Sequence, residues 1–270
     1  MAKREMPRSG APKQNTFFGG AAILAVGAER VLLVDRDEET TQRLSARIGA
    51  VPSSYEQIAC ECRLIFIGVK PHLVSQVLSQ LRPMLEQRED DVAVVSIAAG
   101  VKIRDMSEVV GENIPVIRMM QNTPVALGEG MMVYACSPAA DEGDVAELKL
   151  AMSRAGRIDA IEEDKIDAAT AVMGCGPAFA YQFVEALMAG GVACGLSEEQ
   201  ARLYAAQMLA GASRMVLDTD KPVRELIEAV CSPGGSTIEG VKLLDASDFG
   251  KVVAAAVDAS YQKNKQLGQK

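Results

Sequence analysis

The chain is poor in the residues from which several common sites are built. It has one histidine, His72, and its six cysteines include no C-x-x-C pair, so a structural zinc site is not expected. No Lys/Arg cluster relieves the formal charge of −8, which argues against nucleic acid as a principal partner. The apolar runs are too short to cross a bilayer. The opening MAKREMPRSGAPKQ is basic but has neither the apolar stretch and cleavage site of a secretory signal nor the amphipathic pattern of a mitochondrial presequence. A cytoplasmic protein is expected, with Cys60, Cys62, Cys136, Cys175, Cys194 and Cys231 as reduced thiols. An anionic small molecule stays open as a ligand, because backbone N–H groups bind anions without net positive charge.

With 270 residues, 49% of them hydrophobic, the chain can bury one large core or two modest ones. Up to about residue 161, short apolar runs alternate with helical stretches. VLLV (31–34), LIFIGV (64–69), VAVVSI (92–97) and PVIRMM (115–120) read as strands, and their unbroken apolar character predicts burial on both faces of a parallel sheet. Residues 38–48, 73–87 and 103–110 carry helical patterning between them. The alternation predicts a doubly wound α/β domain. From residue 162 the runs lengthen, become rich in Ala and Met, and take helical spacing. Helices are predicted over 179–193, 198–217, 223–230 and 249–267. Ser197 and Gln200 form a capping box, and Gly195 ends the helix before it. The predicted helices are apolar nearly all round, which in so small a bundle implies burial against another subunit.

Three strand ends offer polar or small residues where open α/β sheets bind ligands. Val69-Lys70-Pro71 follows LIFIG, with a lysine placed for a phosphate and a proline to start a helix. Ser96-Ile97-Ala98-Ala99-Gly100 ends the next strand with residues small enough for a flat ligand to reach the backbone. Asn122-Thr123-Pro124 follows PVIRMM. Further on, Gly174-Cys175-Gly176-Pro177 makes a tight turn before a helix; it is either punctuation or close packing beside a ligand. Ser232-Pro233-Gly234-Gly235-Ser236-Thr237 breaks the helical half and restarts it at once. A helix N-terminus after a glycine turn has unpaired donors and a positive dipole end, which suits a carboxylate or phosphate. Thr237 either caps that helix or turns its hydroxyl to the ligand.

These motifs, in this order and spacing, resemble pyrroline-5-carboxylate reductase over roughly residues 28 to 268, the SPGG-x-T-I segment most specifically. The resemblance implies a Rossmann-like nucleotide domain over 1–161 and an all-α dimerisation and substrate-binding domain over 162–270. It implies reduction of Δ1-pyrroline-5-carboxylate to L-proline with NADPH or NADH, by homodimers that in the family often assemble into decamers. Carried over, Thr237 is the catalytic hydroxyl on the imine nitrogen. Gly234, Gly235, Ser236 and Thr237 hold the substrate carboxylate, and Val69, Lys70, Pro71, Ala98, Ala99 and Asn122 line the cofactor. Asp35 and Arg36 stand where the adenosine ribose is read. The aspartate suits a free 2′-hydroxyl and the arginine a 2′-phosphate, so preference between the two cofactors stays open.

The chain departs from the family before VLLVDRD. No strand and no G-x-G-x-x-G precede Gly19-Gly20, so the first strand and the pyrophosphate loop are expected to be missing. Either the start is altered or the chain binds dinucleotide poorly, which admits a second reading: a weak or silent relative acting as a dimeric scaffold. Met173 and Gln121 are smaller departures. A dehydrogenase of the hydroxyacid type would want a lysine near Gly174–Pro177, and none is there.

Overall fold

A computed structural model describes residues 25–267. The chain divides into two compact units: residues as far as Gly174 together with those from Tyr261 on, and Cys175–Ser260. The expected absence of a first strand and glycine loop concerns residues 1–18, outside the described residues.

In the first unit, β1 (Leu32–Leu33) pairs in parallel with β2 (Val51–Pro52) across α1 (Glu38–Ile48). After α2 (Tyr55–Glu61) come β3 (Leu64–Ile67), α3 (Val74–Leu85), β4 (Ala93–Ser96), α4 (Ile103–Val110) and β5 (Val116–Gln121). Then follow β6 (Gly130–Cys136), α5 (Glu142–Met152) and β7 (Gly156–Ala160). Strands β3 to β7 form one sheet in sequence order, separate from the β1–β2 pair among the described residues.

Period-two alternation explains the unbroken apolar runs. On β5, Val116 and Met120 face a core with Leu78, Leu81, Leu85 and Met106, while Ile117 and Met119 face another with Leu148 and Met152. Leu78 is fully buried. Leu78→Ala is therefore expected to cost about 2–5 kcal/mol, to be read from urea denaturation.

The expected parallel sheet needs a correction. Strands β3, β4 and β5 are parallel, but β6 runs antiparallel to β5 and parallel to β7. Only residues 122–129 join β5 to β6, too few for the crossover that a parallel pair needs, so the chain must turn back.

The second unit is helical: α6 (Gly176–Ala193), α7 (Glu198–Leu217), α8 (Val223–Ala229), α9 (Ser236–Ala246) and the start of α10 (Phe249–Leu267). The capping box at Ser197 and Gln200 is present, and Gly195 takes a φ of 103°. Gly191 lets α7 come close, since a Cβ there would lie 3.3 Å from that of Ala201. Much of the remaining apolar surface is uncovered in a single chain, including Leu203, Met215, Leu243 and Val252. No described helix is long and apolar enough to cross a membrane.

Candidate active site

Parallel pairing puts three of the predicted strand ends at one edge. Ile67 is opposite Ser96, and Ser96 opposite Arg118, so the segments 68–71 and 97–100 and Asn122 all leave the sheet on the same side. Val69 packs on the core while Lys70 is exposed, and Pro71 opens the 3-10 turn that leads into α3. Ala98 is buried and its N–H donates to Ser96 Oγ at 3.3 Å; Gly100, with φ 79°, turns the chain towards α4.

Asn122 is more occupied than a ligand contact requires. Its Nδ2 donates to the Met173 carbonyl at 3.1 Å, and its Oδ1 accepts from the Met131 N–H at 2.9 Å. It ties the start of β6 to the π-helical turn Thr170–Gly174, leaving its second amide hydrogen for any cofactor. In that turn a Cβ on Gly174 would sit 3.0 Å from Thr170 Cγ2, so this glycine serves close packing, whereas Gly176 faces open space.

Asp35 and Arg36 follow β1, in the two-stranded sheet. The Asp35 N–H donates to Thr41 Oγ1 at 2.9 Å, and its carboxylate accepts from the Asp37 N–H at 3.0 Å. One oxygen of this exposed acid is thus held by its own loop, and the other faces solvent. The neighbouring Thr40 hydroxyl holds the Asp37 carboxyl below the usual carboxylate range. Arg36 is exposed and makes no hydrogen bond or ion pair with the described residues.

In the helical unit, the Gly235 N–H donates to the Ser232 carbonyl at 3.0 Å, closing a turn with Pro233 second and Gly234 third. Gly234 has φ 72°, the left-handed position that a type II turn demands. Gly235 has an ordinary φ of −77°; what it lacks is room, since a Cβ would meet the Ser232 carbonyl oxygen at 3.1 Å. Gly235 therefore contributes shape and not a free donor.

Helix α9 starts at Ser236 without a side-chain cap. The N–H groups of Ser236, Thr237 and Ile238 have no intrahelical acceptor, and the Thr237 hydroxyl, exposed, bonds to none of the described residues. Of the two sequence alternatives, capping is not what the Thr237 side chain does. Glu239, whose charge would oppose an anion in this first turn, is paired with Lys242 at 2.7 Å.

A cavity of about 550 Å³ opens at the other edge of the sheet, beside Val92 and Pro115. Its two arginines are already paired, Arg82 with Glu86 and Arg88 with Asp90, each at 2.7 Å, and it is far from the strand ends that suit a nucleotide.

Sequence reasoning passed over Arg118, Glu163 and Asp167, which form a largely buried ion cluster behind the same strand ends. An arginine inside the apolar run PVIRMM was the available signal, because such a charge is buried only with a partner.

The similarity to known proteins agrees with this geometry. The family described as pyrroline-5-carboxylate reductase dimerisation matches residues 163–267, and that described as NADP oxidoreductase, coenzyme F420-dependent, matches 19–100. Pyrroline-5-carboxylate reductase 3 of Danio rerio is 35% identical over 95% of this chain and 89% of its own length. The chain belongs to the pyrroline-5-carboxylate reductase family. Among solved reductases, that of Plasmodium falciparum with NADP bound superposes with a TM-score of 0.80 at 30% identity, covering 96% of each chain. The Coxiella burnetii reductase gives 0.85 at 25% identity, covering 95% of each. Fold follows family: a Rossmann-like domain with a mixed sheet, then a helical dimerisation domain.

Proposed function

We propose that this chain reduces the cyclic imine Δ1-pyrroline-5-carboxylate to L-proline, as an NAD(P)H-dependent reductase. The observation that carries the reading is the start of α9, where unpaired N–H groups and a hydroxyl with no internal partner share one helix end. The N–H groups of Ser236 and Thr237 take the substrate carboxylate, with Gly234 and Gly235 shaping the turn beneath it. The Thr237 hydroxyl oxygen accepts from the protonated imine nitrogen. A cyclic imine is basic enough to arrive partly protonated, so no histidine or carboxylic acid is needed, and the protein's share is chiefly orientation. NADPH or NADH, when bound, supplies the hydride.

The first unit suits a dinucleotide. Three adjacent strand ends present small or exposed residues: Val69, Lys70 and Pro71, then Ala98 and Ala99, then the remaining amide hydrogen of Asn122. Lys70 is free to meet a phosphate. The nucleotide role is placed on 1–161 and the dimerisation and substrate role on 162–270, supported by a family match beginning at residue 163, although the compact units divide later, at Gly174. Self-association as a homodimer is supported by the uncovered apolar helices and the dimerisation family, and assembly of such dimers into a decamer is the further step that the family resemblance implies. A cytoplasmic setting is supported by six free cysteines.

Oxidation of NADPH or NADH on addition of pyrroline-5-carboxylate, with proline as product, tests the activity. A stable dimer without turnover would favour the silent scaffold instead. Arg36 is exposed and unengaged, as a 2′-phosphate would require, while the exposed Asp35 keeps one carboxylate oxygen for a 2′-hydroxyl, so the site accommodates NADPH and NADH alike. Arg36→Ala should raise KM for NADPH by about tenfold or more, the scale of a hydrogen bond to a charged group, and leave KM for NADH nearly unchanged.

A further inference from the structure

Arg118 is only 3% exposed, in the middle of β5, on the face that packs against α3 and α4. Its Nη2 donates to Asp167 Oδ1 at 2.8 Å, its Nη1 lies 3.4 Å from Glu163 Oε1, and its Nε is buried without an acceptor. Apolar side chains of similar size commonly replace such buried ion clusters with no loss of stability. Stability alone is thus a weak reason for this one, and the atom that distinguishes it is Glu163 Oε1. That oxygen also accepts from the Ile103 N–H at 2.7 Å, sixty residues away. Ile103 is the first residue of α4, and Lys102, its N-cap residue, gives no side-chain cap. Glu163 therefore caps α4 from outside, as a negative charge at a positive helix end.

The capped end closes the segment proposed to receive the dinucleotide. Residues 97–102 are pinned at their start by the bond from the Ala98 N–H to Ser96 Oγ and at their finish by Glu163. Ala98, Ala99 and Gly100 lie between. We propose that Glu163 is a positioning residue for the nucleotide, holding the 98–100 turn in its binding shape through the cap on α4, and that Arg118 holds Glu163. This rests on the reductase reading above.

The test uses the full chain, with NADPH fluorescence titration, hydrogen exchange of residues 98–103 in the unliganded protein, and steady-state kinetics. Glu163→Ala should weaken NADPH binding by about tenfold, the scale of a lost helix cap, raise KM for NADPH more than it lowers kcat, and speed exchange at 98–103. Glu163→Gln keeps an acceptor oxygen and should stay near the unaltered protein. Asp167→Asn removes the negative charge nearest Arg118 and leaves the cap, so it should lower Tm without changing NADPH affinity.

Lys102→Ser, added to Glu163→Ala, supplies a cap from within the helix and should restore most of the affinity. Should Glu163→Ala fold poorly, the Gln and Asn variants carry the comparison: Asp167→Asn weakening NADPH more than Glu163→Gln would overturn the proposal. So would unchanged NADPH affinity in Glu163→Ala with a lowered Tm, or failure of Lys102→Ser to rescue. No NADPH binding by the unaltered protein would instead bring down the reductase reading itself, and this inference with it.

Discussion

Thr237→Val is expected to lower turnover by roughly 10²-fold, the upper scale of a lost hydrogen bond to a charged group, with Tm nearly unchanged. The two halves of that result depend on each other. Valine is nearly isosteric with threonine, and both are β-branched, so the α9 backbone should accept it. The hydroxyl caps nothing and bonds to no described residue, so its loss removes no internal hydrogen bond. A fall in turnover would therefore report chemistry and not folding. Thr237→Ser should be far milder, because the oxygen survives.

The glycines beneath it separate binding from chemistry. Gly235→Val places a Cβ 3.1 Å from the Ser232 carbonyl oxygen and should raise KM for the imine by distorting the turn. Any side chain at Gly234 must adopt φ near 72°, a strained position for residues other than glycine. Assays with pyrroline-5-carboxylate and NADPH, beside thermal melts, decide the matter. Full turnover by Thr237→Val would remove the hydroxyl from the mechanism.

Met208→Glu is expected to raise the dissociation constant of the homodimer on the order of 10²-fold or more, as for a central interface residue. Helix α7 buries only Ala201 and Ala205 in its own chain. Tyr204, Met208 and Met215 are 53%, 47% and 63% exposed, and with Gly211 they recur at spacings of four, three and four. That spacing makes one continuous row along a helix. A Cβ on Gly211 would touch nothing within 4 Å, so the row has a shallow place at its centre where a partner helix can approach. A carboxylate at Met208 would have to lose its water on association without gaining a counter-charge. Sedimentation of both proteins at micromolar concentration is the measurement. A monomeric unaltered chain would refute self-association, and an undisturbed dimer of Met208→Glu would move the interface off this row.

How legible all this was depended on the sequence distance of the interactions. The LIFI, AVVS and VIRMMQ strands stood out because their largely buried runs leave no polar alternation to confuse them, whereas in VLLV only Leu32 and Leu33 form a strand, half-buried and paired with β2 alone. The α7 cap was readable because Ser197 and Gln200 lie within one turn. Strand β6 was missed, since Met131 to Cys136 reads equally as a buried helix segment, and its direction depends on how few residues precede it. The pairing of Arg118 with Glu163 spans 45 positions, and nothing local in either segment announces the other. Asp35 and Arg36 are opposed signals in the sequence, and the structure keeps both, since one Asp35 oxygen accepts from the Asp37 N–H while both side chains are exposed. The SPGGST turn was recognisable as a helix break. Which glycine carried the unusual φ, and which amides stayed free, depended on the bond from Gly235 to Ser232, a backbone detail invisible in residue types.

The reversal at β6 also bears on the order in which the sheet can assemble. Before β3 can join β4, residues 68–92 must be gathered, and 97–115 before β4 can join β5; each includes a helix. Strands β5 and β6 need only close residues 122–129, the smallest entropy cost in this sheet and the most local pairing. The earliest stretch of ladder is then the one bearing Arg118 and the bond from the Met131 N–H to Asn122. Arg118 and Asn122 are thus placed by residues 116–136 alone, and the segment that ends at Met173 docks on an anchor that does not depend on it.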